Sequence, residues 1–234
     1  MADASYASDG SAASELRVRA FVQRVYGWMA AALAVTGIVA YAVANSPQMQ
    51  RFIFGNAFVF FGLIIGELIL VMVLVRRIQV MTPGAATGSF VVYSLLNGLT
   101  LSAVFLAYTQ GTIARAFFVA AGMFAVMTLY GFFTRRDLTR WGPLLGMALF
   151  GFIIASVVNL FLRCEAFYWI ITYAGVVIFV GLIAYDSQRI KEMALAGVED
   201  QEGGQNIAIL GALRLYLDFV NLFLLLLRIF GRRR

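Results

Sequence analysis

The chain has 234 residues, of which 62% are hydrophobic and only 13% are charged. Soluble domains carry about 25% charged residues, so this composition excludes an ordinary soluble globule and indicates an integral membrane protein. The formal net charge is +6, but the basic residues stand mostly between apolar stretches, where they orient helices in a bilayer. We therefore expect the lipid bilayer as a partner and no binding to nucleic acid.

Cysteine and histidine usage narrows the chemistry further. The chain has a single cysteine, Cys164, and no histidine. This excludes a disulfide within the chain, catalysis by a histidine acid or base, and histidine ligands for a metal. Sensitivity to pH would then have to come from carboxyl groups. We expect neither an enzyme nor a bound cofactor.

In chain order, residues 1–20 are rich in Ala, Ser and Asp and predict a flexible polar tail. Residues 21–234 predict one helical transmembrane domain. The first apolar segment lacks a small-residue cleavage site, so we interpret it as a retained helix rather than a signal peptide. Seven apolar stretches are long enough to cross a bilayer as helices, at about residues 25–44, 57–75, 86–108, 114–133, 142–162, 167–185 and 207–230.

Basic residues in the connections predict the orientation of these helices, because cytoplasmic loops carry an excess of Lys and Arg. The tail and the even-numbered loops hold most of them, whereas the alternate loops hold one each, Arg51, Arg115 and Arg163. We expect the N-terminus in the cytoplasm. Seven crossings would leave the three arginines at residues 232–234 on the opposite side, against this bias, so the side of the C-terminus stays open.

The last apolar stretch carries a polar stripe on an otherwise apolar helix. Its members follow at intervals of four, three, four and three residues, which places them on one helical face: Arg214, Asp218, Asn221, Leu225 and Arg228. Such a stripe should face the bundle interior or a water-filled path, so Arg214 and Asn221 are pore-lining candidates. The alternative is that Arg214 and Asp218 merely neutralise each other one turn apart.

Other charged positions also have a functional and a simpler interpretation. Glu67 stands inside the second apolar stretch, where an ionisable group is costly. It is either a pore-lining candidate or a neutral, hydrogen-bonded carboxyl. Asp186 is either a site residue or an ordinary helix-end carboxylate, and Arg76 and Arg77 are either site residues or membrane anchors. The third stretch holds small polar residues of the kind that join membrane helices: Asn97, Thr100 and Ser102.

Four segments, from three of the predicted helices, carry a family resemblance. Residues 216–223 read Tyr-Leu-Asp-Phe-Val-Asn-Leu-Phe, and residues 227–231 read Leu-Arg-Ile-Phe-Gly. Residues 185–191 and 96–102 add Tyr-Asp-Ser-Gln-Arg-Ile-Lys and Leu-Asn-Gly-Leu-Thr-Leu-Ser. These segments resemble the last, the sixth and the third helix of the Bax inhibitor-1 family, also called the transmembrane Bax inhibitor motif family. The resemblance covers essentially the whole chain after the tail.

The resemblance implies an all-α membrane protein of seven transmembrane helices, with the C-terminal helix surrounded by the other six. It also implies a pH-sensitive calcium leak channel of the bacterial cytoplasmic membrane, with a paired-aspartate sensor that Asp186 and Asp218 match. A basic latch is implied at the end of the second helix, where Arg76 and Arg77 are both candidates. Glu67 matches a glutamate of bacterial relatives.

A physical mechanism follows for the two aspartates. Two carboxylates close together in a low dielectric do not both ionise cheaply, so they titrate as a pair. With carbonyl and water oxygens they would form a weak calcium site, as a conducting ion requires. Protonation of Asp186 would release an arginine latch and favour opening, but it would also weaken calcium binding. The sequence does not decide between these two effects.

Three other functions compete with a calcium leak. The first is a non-conducting modulator of a membrane protease or of another membrane partner. The second is an intramembrane aspartyl protease, against which the chain lacks both a Gly-x-Gly-Asp motif at Asp218 and a Pro-Ala-Leu motif. The third is a proton-coupled transporter.

Overall fold

The computed structural model describes the backbone of residues 3–198 and 203–231, and the side chains from residue 16 onward within those ranges. All regular elements in these ranges are helical. The α-helices are α1 Asp3–Ala44, α2 Pro47–Phe54, α3 Ala57–Arg77, α4 Pro83–Ala107, α5 Gln110–Phe133, α6 Trp141–Leu162, α7 Glu165–Leu195 and α8 Gly204–Phe230, with a 3-10 turn at Ile78–Val80. The expectation of an all-α membrane protein is confirmed.

Seven of these helices are long and apolar enough to cross a membrane, as the sequence predicts. They are α1 from Leu16 onward and α3 to α8. Two of them are much longer than predicted, and α7 continues to Leu195, past the predicted end at residue 185. α1 begins at Asp3, within the stretch 1–20 that predicts a flexible tail. The flexibility of that stretch stays a prediction.

The hydropathy pattern does not predict α2, because its 8 residues are too short to cross a bilayer. The Ser46 side chain accepts a hydrogen bond at the start of α2, and Pro47 occupies its first turn. A proline fits there because its fixed φ suits the helix and its missing N–H would have no partner. Asn56 then caps α3 in the same way. Two successive N-caps therefore turn the chain between its first two spans.

The chain forms two compact units. Unit 1 comprises Met1–Leu106 and Ile190–Tyr216, and unit 2 comprises Ala107–Arg189 and Leu217–Arg234, as far as these ranges are described. Both α7 and α8 contribute residues to each unit. The predicted transmembrane domain of residues 21–234 therefore contains parts of both units.

In unit 1, α1 and α4 approach closely at Gly98. A Cβ atom at this position would lie 2.9 Å from the carbonyl oxygen of Thr36, which is too close for packed atoms. The buried Asn206 donates to the carbonyl oxygens of Ile78 and Met81 at 2.8 and 2.7 Å. These bonds hold the start of α8 to the turn that follows α3.

In unit 2, Gln188 of α7 fixes the loop between α5 and α6. Its side-chain amide donates to the carbonyl oxygen of Arg136 at 2.9 Å and accepts from the N–H of Leu138 at 2.7 Å. Gly131 of α5 lies against the backbone of α7 at Ala184, where an added Cβ atom would have no room. The cytoplasm-facing end predicted for α7 is therefore tightly packed.

α8 is the most buried of the seven spans. In its most apolar window, 67% of the residues are buried, compared with 0% to 39% in the other six. α6 has the lowest value, and its large side chains, such as Phe150 and Phe161, are exposed. A helix that is apolar on all sides lies either inside protein or in lipid. By this measure α8 is the span most buried within protein, and α6 is the least buried.

Candidate functional site

Asp186 and Asp218 are the two charged side chains that are buried in the part of the chain that the structure describes. Their exposed fractions are 8% and 6%, and both belong to unit 2. Burial of a carboxyl group is costly without compensating interactions, above all in a membrane span. The structure therefore places both predicted sensor residues within protein rather than against hydrocarbon.

Asp186 lies where α7 packs against α5 and α6. The ring of the preceding Tyr185 covers Gly142 of α6, where an added Cβ atom would lie 2.6 Å from the Tyr185 hydroxyl. The following Ser187 is fully buried, and its hydroxyl donates to the Thr128 hydroxyl of α5 at 3.4 Å. Because both neighbours are fixed, the backbone at Asp186 is fixed as well.

Asp218 lies beside an aromatic cluster formed by α5 and α8. Phe219 packs edge-on against Phe117 and Phe124, with ring centroids 5.6 Å apart in both pairs. One turn further on, Phe223 packs against Phe117 with centroids 6.4 Å apart. Edge-on aromatic pairs have a preferred geometry. The cluster therefore sets the rotation of α8 within unit 2, and with it the direction in which Asp218 projects.

The two aspartates alone do not make a complete calcium site. Calcium takes about six to eight oxygen ligands. Within residues 16–198 and 203–231, no three His, Cys, Asp or Glu side chains come together as a metal-binding group. Backbone carbonyls or water would have to supply the other oxygens. The weak calcium site at Asp186 and Asp218 stays a prediction.

Arg76 and Arg77 form the last turn of α3 and are exposed. This position suits a basic anchor at the membrane surface as well as a latch. The two side chains do not differ in exposure class, so neither is favoured by it. Their role as latch candidates also stays a prediction.

Glu67 is hydrogen-bonded to α4. Its Oε1 atom accepts from the Thr100 hydroxyl at 2.8 Å, and its Oε2 atom accepts from the Asn97 amide nitrogen at 3.3 Å. Of the three polar residues expected to join helices, Asn97 and Thr100 link α4 to α3. The third, Ser102, donates to the carbonyl oxygen of Leu99 in its own helix. One interpretation of Glu67 was a neutral, hydrogen-bonded carboxyl, and the hydrogen bonds that it requires are present. The pore-lining role of Glu67 stays a prediction.

The bonds continue from Asn97 to α8 and α1. The Tyr216 hydroxyl donates to Asn97 Oδ1 at 3.0 Å and lies 2.7 Å from the Thr36 hydroxyl. Thr36 donates to the carbonyl oxygen of Ser94 at 2.9 Å. We name Glu67, Asn97, Tyr216 and Thr36 the polar chain. Sequence reasoning missed two of its members, and the only signal is that Thr36 is the single threonine of the first span.

Comparison with known proteins agrees with this architecture. The family model described as "Inhibitor of apoptosis-promoting Bax1" matches residues 18–234. The chain belongs to the Bax inhibitor family. The resemblance inferred from the helix motifs is thereby confirmed.

Bacterial relatives are similar over nearly their whole length. The inner membrane protein YbhL of Escherichia coli is 47% identical over 228 residues, which cover 97% of each chain. A protein of Borreliella burgdorferi is 41% identical over 214 residues, which cover 92% of each chain. Protein RP147 of Rickettsia prowazekii is 40% identical over 219 residues, which cover 93% of this chain and 91% of the relative.

In this Bax inhibitor family protein, the predicted polar stripe is only partly accessible, because two of its five members, Asp218 and Leu225, are buried. Arg214 and Asn221 are partly exposed and Arg228 is exposed, whereas Asp218 is buried. The Asn221 amide donates to the carbonyl oxygen of Leu217 in its own helix at 2.8 Å. Pore-lining roles for Arg214 and Asn221 stay predictions.

Unit 2 also contains a cavity of about 1020 Å³ at the ends of α6 and α8 and the start of α7. We name it the arginine cavity, because its lining includes Arg163 and Arg228, together with Glu165, Tyr168 and Trp169. The Arg228 guanidinium lies over the Tyr168 ring, 5.6 Å from its centroid. Arginines and aromatic rings of this kind are typical of the ends of membrane spans.

Proposed function

We propose that this protein is a pH-sensitive calcium leak channel of the bacterial inner membrane, gated by Asp186 and Asp218, with its N-terminus in the cytoplasm. The observation that carries the proposal is the burial of these two carboxyl groups in unit 2, at 8% and 6% exposure. The family supports it, and the name of the Escherichia coli relative, an inner membrane protein, supports the location. The proposal includes no catalytic activity.

Gating follows from the cost of charge in a low dielectric. Two nearby buried carboxylates repel each other, so they hold a proton between them or bind a cation. Calcium accepts carboxylate oxygens, and two of them give weak binding from which the ion leaves again. A change of pH then changes both the charge of the pair and its affinity for the ion.

The balance between two effects of protonation determines the sign of the pH response. A basic side chain, Arg76 or Arg77, pairs with ionised Asp186 and closes the path, so protonation of Asp186 opens it. Protonation also weakens calcium binding. Flux rises toward acid where release of the latch dominates, and it falls toward acid where loss of calcium binding dominates.

Calcium entry into liposomes that hold the purified protein and a trapped calcium dye tests the proposal across acidic to alkaline pH. We expect Asp186→Asn and Asp218→Asn each to abolish the pH response, because the paired charge is lost. Asp137→Asn is the matched control, because Asp137 is an exposed aspartate outside the spans.

Unchanged flux and pH response in both aspartate variants would overturn the sensor. No flux from the purified wild-type protein at any pH would overturn the leak itself. That outcome would favour a non-conducting modulator of another membrane protein. Counterflow of a solute would instead identify a proton-coupled transporter.

A further inference from the structure

The polar chain contains more contacts than hydroxyl hydrogens. Tyr216 has one hydroxyl hydrogen, which it donates to Asn97 Oδ1 at 3.0 Å, and Thr36 has one, which it donates to the Ser94 carbonyl at 2.9 Å. The contact between the Tyr216 and Thr36 oxygens is also 2.7 Å, a typical hydrogen-bond length. Two hydroxyl hydrogens therefore serve three contacts, so one contact has no hydrogen, and two oxygens at such a distance repel each other without one.

The opposite orientation of the Asn97 amide supplies the missing hydrogen. Oxygen and nitrogen of an Asn side chain are assigned from their bonding partners, so the reversed amide occupies the same place. Its nitrogen then donates to Tyr216, Tyr216 donates to Thr36, and Thr36 donates to Ser94. Every hydroxyl contact now has one donor and one acceptor.

Reversal of the amide has a consequence at Glu67. The amide oxygen then faces Oε2 of Glu67 at the same 3.3 Å. Two acceptors would repel each other, so the carboxyl must carry a hydrogen on Oε2. Thr100 is compatible with both states, because the neutral acid still offers Oε1 as an acceptor and the Asn97 carbonyl lies 3.1 Å from the same hydroxyl.

We propose that Glu67 is a proton-binding site whose occupancy sets the direction of the hydrogen bonds from α3 through α4 to α8 and α1. With the proton bound, all contacts of the polar chain are matched. Without it, one of the three contacts that Tyr216 of α8 and Thr36 of α1 make lacks a hydrogen. Protonation at Glu67 therefore tightens the attachment of α8 within unit 1.

The surroundings of Glu67 favour the proton over a metal cation or an ion pair. Its hydrogen-bond partners, Asn97 and Thr100 of α4, are neutral. Ionisable groups that sense its charge include Tyr93 of α4 and Tyr216 of α8, both neutral at ordinary pH. In the described ranges no arginine or lysine forms an ion pair with it.

Infrared difference spectroscopy of the full chain in lipid bilayers tests this site without measuring flux. A protonated carboxylic acid has its own carbonyl band, and the part of that band missing in Glu67→Gln belongs to Glu67. We expect this band to be present in the wild type and to disappear as the pH rises. Its absence at every pH would overturn the proposal.

Thr36→Val tests the coupling along the polar chain. Valine removes the contact that lacks a hydrogen, so Glu67 no longer gains from reversal of the amide. We expect its affinity for the proton to fall by roughly tenfold, the worth of about one hydrogen bond. Thr36→Ser keeps the hydroxyl, so it should titrate as the wild type does.

Equal titration of the Glu67 band in Thr36→Val and in the wild type would overturn the coupling. Tyr216→Phe breaks the same chain at another residue, and it is measured where Thr36→Val does not fold. Because Asp186 and Asp218 stay intact in all these variants, failure here leaves the proposed leak untouched. Loss of the leak in the aspartate variants likewise leaves the Glu67 band unchanged.

Discussion

The polar chain of unit 1 and the arginine cavity of unit 2 use polar side chains in opposite ways. In the polar chain, groups from four helices bond to one another, and Asn97 and Thr36 are less than 10% exposed. In the arginine cavity, Arg163 and Arg228 are exposed, and within the described residues neither forms an ion pair with Glu165. The first region therefore holds helices together, whereas the second presents charge to its surroundings.

This contrast has a physical cause. A buried donor or acceptor that loses its partner keeps the full cost of desolvation, about 1–3 kcal/mol. An exposed group that loses a partner bonds to water or to lipid headgroups instead. Equivalent substitutions should therefore destabilise the protein through the polar chain and have little effect on stability in the cavity.

Tyr216→Phe should have the largest effect on stability. It removes the hydroxyl that lies between Asn97 and Thr36 and leaves both without that partner. We expect a loss of about 1–3 kcal/mol in the free energy of unfolding, measured by denaturant titration in detergent micelles. Tyr93→Phe is the matched control, because the Tyr93 ring packs against Tyr216 while its hydroxyl stands outside the polar chain. Equal losses in both variants would contradict the contrast.

Arg228→Gln should have a smaller effect. It removes the contact of the guanidinium with the Tyr168 ring, and such contacts contribute about 0.5–1 kcal/mol at exposed sites. A double-mutant cycle with Tyr168→Leu isolates this contribution. A coupling energy larger than the loss of stability in Tyr216→Phe would show that the cavity also holds unit 2 together.

The fold was largely predictable because hydropathy decides it. Long apolar stretches have to be helical in a bilayer, since every backbone polar group needs a partner there, and all seven spans were expected. Two features escaped for local reasons. α2 is too short for a hydropathy window, and α7 continues as an ordinary helix beyond Asp186, where its sequence turns polar.

The candidate site was predictable only in part. The cost of charge in a span points to Glu67 and Asp218, the family resemblance adds Asp186, and the structure finds the two aspartates buried. The partners of Glu67 follow from helix packing instead. Asn97 is 30 residues away, and the next link joins Tyr216 and Thr36 across 180 residues. Rotation of each helix about its axis decides such contacts, and apolar spans carry little signal for it.

The smallest effect on stability is expected at Asp137, in the exposed loop between α5 and α6. Its hydrogen bonds from the side chain and the backbone of Thr139 lower its pKa below the ordinary value of 3.8, with help from Arg140. A lowered folded-state pKa stabilises the protein above the ordinary aspartate range, and this contribution is lost as the pH falls through the folded-state value.

We expect the melting temperature of Asp137→Asn to lie slightly below that of the wild type near neutral pH and to approach it as the pH falls through the folded-state pKa, where the aspartate becomes protonated. Thermal melts in detergent from neutral to acidic pH measure this difference. Asp186→Asn is measured beside it, because the same change at a buried carboxyl should shift the melting temperature more. A larger shift from the exposed Asp137 would show that burial does not set the scale of charge effects in unit 2.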